Sequence, residues 1–171
     1  MKQAVNRFLF ICLFLLSAVG GLVGCHAGKD RCTALLHLLE TPYEMTCEIT
    51  LPGGEPLAAK YRHAPGSADS AECIAPPLCG VVFRFDGDTV TAVCDTLELP
   101  MGGGLGDVFR FLRGDVLTGA MPRAVVLDEE RIAVGLWVVT QGTDGLPTSF
   151  EAEDGTYIAV SAFSPVTETK E

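Results

Sequence analysis

Two hydrophobic periods alternate along the chain, and the points where one gives way to the other divide it into elements. From Asp30, apolar residues fall at Cys32, Leu35, Leu36 and Leu39, the three-to-four spacing of a one-sided helix. Asp30 is a plausible N-cap, and Thr41-Pro42 stops the helix. His37 lies off the apolar face and points to solvent. The period then switches to two. Tyr43, Met45, Cys47, Ile49 and Leu51 alternate with Glu44, Thr46, Glu48 and Thr50, which predicts an antiparallel strand buried on one side. Pro52-Gly53-Gly54 supplies a turn, and Leu57, Ala59 and Tyr61 carry the alternation onto a second strand. The loop from His63 to Ser67 ends it.

A second pair of strands is predicted at Ala71 to Ala75 and Val81 to Phe85, around Pro76-Pro77. Asp86-Gly87 marks a hairpin into one long strand from Thr89 to Leu99. Pro100 and the glycines from Gly102 to Gly106 break the sheet. That run lacks the Lys-Ser/Thr of a phosphate-binding loop and the spacing of a dinucleotide fingerprint, so it reads as a flexible crossing. Asp107 is expected to cap a helix reaching Leu117, with Val108, Phe109, Leu112, Val116 and Leu117 as its apolar stripe. Gly114 weakens the middle of this helix and Gly119 is placed to end it. The last third reads as strands: Ala124 to Leu127, a run from Arg131 to Thr140 that is apolar on both faces, Leu146 to Ala152 and Thr156 to Phe163. Asp144-Gly145 and Asp154-Gly155 are the turns among them.

The first 24 residues follow neither period. Lys2 and Arg7 precede an apolar run that begins at Phe8, and no acidic residue occurs before Asp30. A basic segment, an apolar segment and then small residues form the grammar of a secretory signal peptide. Its end, Leu22-Val23-Gly24-Cys25, resembles the lipobox of bacterial lipoproteins. The resemblance implies that the Cys25 thiol receives a diacylglycerol, that cleavage follows Gly24, and that palmitate or a similar acyl chain anchors the product to a bacterial cell membrane. The organisation expected is a signal over 1–24, a short tether over 25–28, one domain over 29–164 and a polar tail over 165–171.

Charge and cysteine content narrow what that domain does. Lys2 and Arg7 leave with the signal, so ten basic residues face 22 acidic ones. Such acidity argues against nucleic acid and against a polybasic grip on anionic lipid heads. Cys12 also leaves and Cys25 is committed to lipid. The five that remain are Cys32, Cys47, Cys73, Cys79 and Cys94, an odd number with no Cys-x-x-Cys pair. They read as small core hydrophobes, with a disulfide between Cys73 and Cys79 across the Pro76-Pro77 turn as one open pairing. No metal-ligand spacing and no nucleophile elbow accompanies His26, His37 or His63. No cofactor, no metal and no catalytic step is therefore expected.

A leading helix, long antiparallel hairpins, a helix behind glycines and a closing meander resemble the LolA/LolB-like lipoprotein-carrier superfamily. The resemblance spans Arg31 to Phe163, with Phe83-Arg84-Phe85-Asp86-Gly87 and Leu146-Pro147-Thr148-Ser149-Phe150-Glu151 as its most suggestive pieces. It implies an α+β fold in which a strongly curved antiparallel sheet forms an open half-barrel with two helices on its concave side. It further implies a cavity for acyl chains or another apolar ligand. Phe83, Phe85, Phe109, Leu112, Val116 and Trp137 are the candidates to line that cavity. The competing expectation is a filled core, in an envelope lipoprotein that acts structurally or in regulation by contacting another protein.

Overall fold

A computed structural model describes residues 30–114 and 124–166. Residues 30–40 form helix α1, which buries Cys32, Leu35 and Leu39 and leaves His37 exposed, as the spacing requires. Six strands follow: β1 Tyr43–Thr50, β2 Leu57–His63, β3 Asp69–Cys73, β4 Val82–Phe85, β5 Val90–Cys94 and β6 Leu97–Met101. Helix α2, Leu105–Leu112, separates them from β7 Val125–Val126, β8 Arg131–Val134, β9 Trp137–Gln141, β10 Pro147–Ala152 and β11 Tyr157–Pro165.

The eleven strands make one antiparallel sheet in the order β6-β5-β4-β3-β2-β1-β11-β10-β9-β8-β7. It consists of two meanders joined at a central seam, where β1 pairs with β11 along its whole length. Its two edges, β6 and β7, are the strands on either side of α2 in sequence, so the chain crosses from one edge to the other by way of that helix.

The curvature follows from what α2 touches. Phe109 stacks on Phe85 of β4, with ring centroids 5.5 Å apart, and Phe111 stacks on Trp137 of β9 at 4.1 Å. Strands β4 and β9 are six steps apart, roughly 29 Å in a flat sheet at the usual strand spacing. A helix about 10 Å across cannot bridge that gap with two side chains two residues apart. The sheet therefore curls around α2, which lies on its concave side. Arg31 of α1 donates to the Asp128 carbonyl at 2.8 Å and to Gln141 Oε1 at 3.1 Å, fixing that helix to the β7–β8 turn and to β9.

Four local expectations are corrected. The run from Thr89 to Leu99 is not one strand: Asp95, at φ 51°, turns it into the β5–β6 hairpin. The run from Arg131 to Thr140 likewise folds back, with Gly135 at φ 60° and Val134 paired to Trp137. Asp107 does not cap α2. The N-cap is Gly104 with no side-chain bond, and Asp107 sits in the first turn, 3.3 Å from Arg110. Gly114 is the stop of this helix rather than a weak point within it. Its φ is +79°, and its N–H donates to the Phe111 carbonyl, as a glycine just past a helix end commonly does. The parts of the expected stripe at Val116 and Leu117, and the stop at Gly119, lie outside the described residues.

Candidate functional site

The interior of the curled sheet has two unlike ends. Around the C-terminal half of α2 it is filled with rings. Phe109 contacts Tyr61 and Phe85, while Phe111 lies flat on Trp137 and edge-on to Phe150. The guanidinium of Arg113 sits 5.6 Å from the Phe85 ring centre, and the Tyr43 hydroxyl donates to the Leu112 carbonyl at 2.7 Å. Aromatic pairs at these separations are attractive beyond the area they bury.

Around the N-terminus of α2 lies a partly enclosed cleft of about 410 Å³. Its floor is Ile49, Phe83 and Leu105, all buried. Its walls are the β1–β2 turn from Leu51 to Leu57, the β3–β4 connection through Ala75, Pro76, Pro77 and Leu78, and Met101 at the end of β6. Pro56, Pro76 and Pro77 stiffen these walls through their fixed φ, while Leu51, Leu57, Leu78 and Met101 supply apolar lining. Two acidic residues, Glu48 and Glu55, border the cleft; Glu48 alternates with the floor residue Ile49 and so turns its side chain to the outer face of the sheet, and among the described residues no lysine or arginine lines the cleft. The volume falls within the range of small-ligand sites, toward its lower end, and the lining has their apolar character.

Of the five described residues expected to line a cavity, Phe83 lines this cleft. Phe85, Phe109, Leu112 and Trp137 are buried against one another and their neighbours, so they fill the space they were expected to surround. Val116 lies outside the described residues, as do Leu22, Val23, Gly24 and Cys25. Residues that line the cleft but were not anticipated include Leu51, Leu57, Leu78, Met101 and Leu105. Phe111, at the centre of the filled end, was also missed.

The five described cysteines are free. Cys32, Cys47 and Cys73 are buried and Cys79 and Cys94 exposed, so the Cys73–Cys79 bond is not formed in this structure. Burial pushes the Cys47 thiol up to about 12. It raises Cys73 too, with the nearby Cys79 thiol adding to the effect.

One polar cluster was not anticipated. Asp69 is fully buried and accepts a hydrogen bond from the Tyr61 hydroxyl at 2.5 Å. His63 Nδ1 lies 3.0 Å from its other oxygen, and the Ala64 N–H donates to that oxygen at 3.3 Å. Burial first, then the neighbouring Tyr43 and Asp69, raise the Tyr61 hydroxyl well above its ordinary range. The carboxylate is satisfied by protein donors on both oxygens and sealed from solvent. It braces the β2–β3 hairpin rather than presenting chemistry to a substrate. Among the described residues no group of histidine, cysteine and acidic side chains could hold a metal ion. No helix among them is long and apolar enough to cross a membrane.

No protein-family model matches the chain, and no curated protein matches it by sequence. Solved structures share part of its layout. One is a conserved uncharacterized protein from Thermus thermophilus, at 18% identity and a TM-score of 0.42, covering 82% of this chain and 86% of that one. Another is a LolA superfamily protein from Nitrosomonas europaea, at 9% identity and TM-score 0.37, covering 75% and 87%. A third is the domain of a protein described as an outer membrane lipoprotein-sorting protein from Vibrio parahaemolyticus, at 10% identity and TM-score 0.38, covering 85% and 95%. Likenesses at this level assign no activity.

Proposed function

We propose that this protein is a lipoprotein anchored outside the cytoplasm, whose single domain binds an acyl or other apolar ligand as a carrier, acceptor or sensor. The observation that carries the reading is the 410 Å³ apolar cleft at the open end of the curled sheet. The ligand site is thus the cleft at the N-terminus of α2, and the space between the middle of that helix and the sheet is not part of it. The anchor is Cys25, behind Leu22-Val23-Gly24, and two or more acyl chains give the stable attachment that one does not. The function requires no cofactor and no catalytic residue.

Every described helix and strand lies beyond residue 29, so a chain beginning at His26 keeps the whole described fold. Such a chain is expected to yield extractable lipid in native mass spectrometry, or to take up the neutral fluorescent amphiphile N-phenyl-1-naphthylamine. An empty chain that takes up none of it overturns the ligand reading. The anchor is tested separately: Cys25→Ser in the full-length chain should abolish incorporation of labelled palmitate, and retained label would rule the lipobox out.

A second reading has its own support. The interior around the C-terminal half of α2 is filled, and the edge strand β6 leaves Leu97 at 56% and Leu99 at 50% exposure. An envelope lipoprotein that works through contact with another protein would show this combination. The same empty result in mass spectrometry favours it.

A further inference from the structure

We infer that Cys73 and Cys79 are a dithiol–disulfide pair, and that their oxidation staples the β3–β4 connection that forms one wall of the cleft. The backbone already holds the two ends of that connection together. The Gly80 N–H donates to the Cys73 carbonyl at 2.9 Å, and the Cys73 N–H donates to the Val81 carbonyl at 2.8 Å. Two residues of the returning chain therefore oppose Cys73, in a bulge whose first residue, Gly80, has φ +85°. The Val81 N–H donates to the Leu78 carbonyl at 2.9 Å, which puts Cys79 in a tight turn directly before the bulge. Residues opposed across a hydrogen-bonded pair have Cα atoms about 5.5 Å apart, a separation that disulfides span. Cys79 is the chain neighbour of the residue so placed, and its thiol is close enough to add to the upward shift of Cys73. Cys47 shares a row with Ala59 and Cys73 but stands two strands away, roughly 10 Å, which is beyond a disulfide's reach. Cys94 ends β5, also two strands from β3.

Exposure fixes the order of events. Cys73 is 1% exposed and Cys79 is open to solvent, so a disulfide carried by another molecule meets Cys79 first. The Cys79 thiol gives up its proton and its thiolate attacks one sulfur of that donor, forming a mixed disulfide and releasing one donor thiol. Cys73 then loses its proton, attacks the Cys79 sulfur and expels the second donor thiol. In all, two electrons and two protons pass from the cysteine pair to the donor disulfide. Burial raises the Cys73 thiol, so the second step is the slower one and quickens as pH rises. Disulfides persist outside the cytoplasm, where the proposed export takes the chain. The bond closes a loop through Ala75, Pro76, Pro77 and Leu78, each of which lines the cleft, and so fixes that wall.

The test uses the reduced chain from His26, native and without denaturant, with oxidised glutathione as the donor. Mass spectrometry should show one glutathione added at Cys79 and then lost, leaving a chain short of two hydrogens, and peptide mapping without reductant should join Cys73 to Cys79. The resolving step should quicken about tenfold from pH 7 to pH 8, following the Cys73 thiolate. The bonded chain should melt several degrees above the reduced one, and its amides between Ile74 and Gly80 should exchange more slowly. Cys73→Ala should stop at the glutathione adduct. Cys79 is exposed, so Cys79→Ser should fold with an unchanged melting curve and leave Cys73 unmodified. The inference is overturned if Cys79 keeps its glutathione in the unsubstituted chain, if it bonds to Cys94 instead, or if Cys73 reacts only after unfolding. A chain that oxidises as described but takes up no N-phenyl-1-naphthylamine loses the ligand reading and keeps this one.

Discussion

The two ends of α2 face the same curled sheet and are treated in opposite ways. At its C-terminal half, Phe109, Phe111 and Leu112 interlock with Tyr61, Phe85, Trp137 and Phe150, and a tyrosine hydroxyl takes up the Leu112 carbonyl. At its N-terminus a single leucine, Leu105, stands at the edge of open space walled by prolines. On the proposed reading, stability and ligand binding fall in different halves of one interior. A filled end holds the curl of the sheet, and that lets the other end stay open without collapsing.

This division is tested most severely at Phe111. Truncation to alanine removes the ring stacked on Trp137 and should lower stability by about 3–5 kcal/mol, the usual cost of a fully packed aromatic. A chemical denaturation curve measures it, and a loss near 1 kcal/mol would mean that the filled end is not what holds the molecule together. Leu105→Ala should behave differently. Its cost should be at or below about 2 kcal/mol, the low end for leucine, because the site already borders solvent. Uptake of an apolar probe should nonetheless weaken several-fold. If Leu105→Ala matches Phe111→Ala in stability and leaves uptake unchanged, the two ends do not differ in role.

Smaller effects sharpen the picture. Tyr43→Phe keeps the ring but leaves the Leu112 carbonyl without its 2.7 Å donor, which should cost about 1–2 kcal/mol and leave probe uptake intact. The Cys47 thiol provides a pH test. Its folded value of about 12 stands above the ordinary 9.0, so unfolding releases a proton between those limits. The stabilisation is whole below pH 9 and falls as pH rises toward 12. Tyr43 and Tyr61, raised chiefly by burial, titrate in the same sense. Denaturation midpoints measured at pH 8 and pH 10.5 should therefore fall, and by less in Cys47→Ala. In the native protein a maleimide should label Cys79 and Cys94 while Cys32, Cys47 and Cys73 stay protected.

Sequence patterns revealed the strands better than the site. The alternation from Tyr43 to Leu51 appears as buried Tyr43, Met45, Cys47 and Ile49, and Asp86-Gly87, Asp144-Gly145 and Asp154-Gly155 all turn where expected. Where a turn lacks such a pair it stayed hidden. Asp95-Thr96 and Gly135-Leu136 each interrupt a run whose apolar character continues on both sides, so one long strand and two short ones have the same composition. The stop at Gly114 was masked similarly, because Val116 and Leu117 prolong the helical spacing past it. Phe111 was missed for a geometric reason. A stripe analysis assumes that a helix buries one face, and α2 is enclosed on several sides by a sheet that curls around it. The cleft had no sequence signature, since its shape comes from loops meeting in space. The polar cluster at Asp69 was invisible for the same reason, as its partner His63 becomes its neighbour only when β2 and β3 pair.

The pairing of β1 with β11 has a consequence for how the molecule is assembled. Tyr43 lies opposite Pro165 and Thr50 opposite Tyr157, so the first strand made is joined to the last. Each half-sheet is a meander of near neighbours and can form early, whereas the contacts between halves are the most distant in the sequence and carry the largest loop-closure cost. As the ribosome extends the chain, the middle of the sheet is its final piece to close. A polypeptide threaded through a membrane pore benefits from that order of events. If the chain is exported as proposed, it would stay unlocked until β11 is available and close in one late step on the far side.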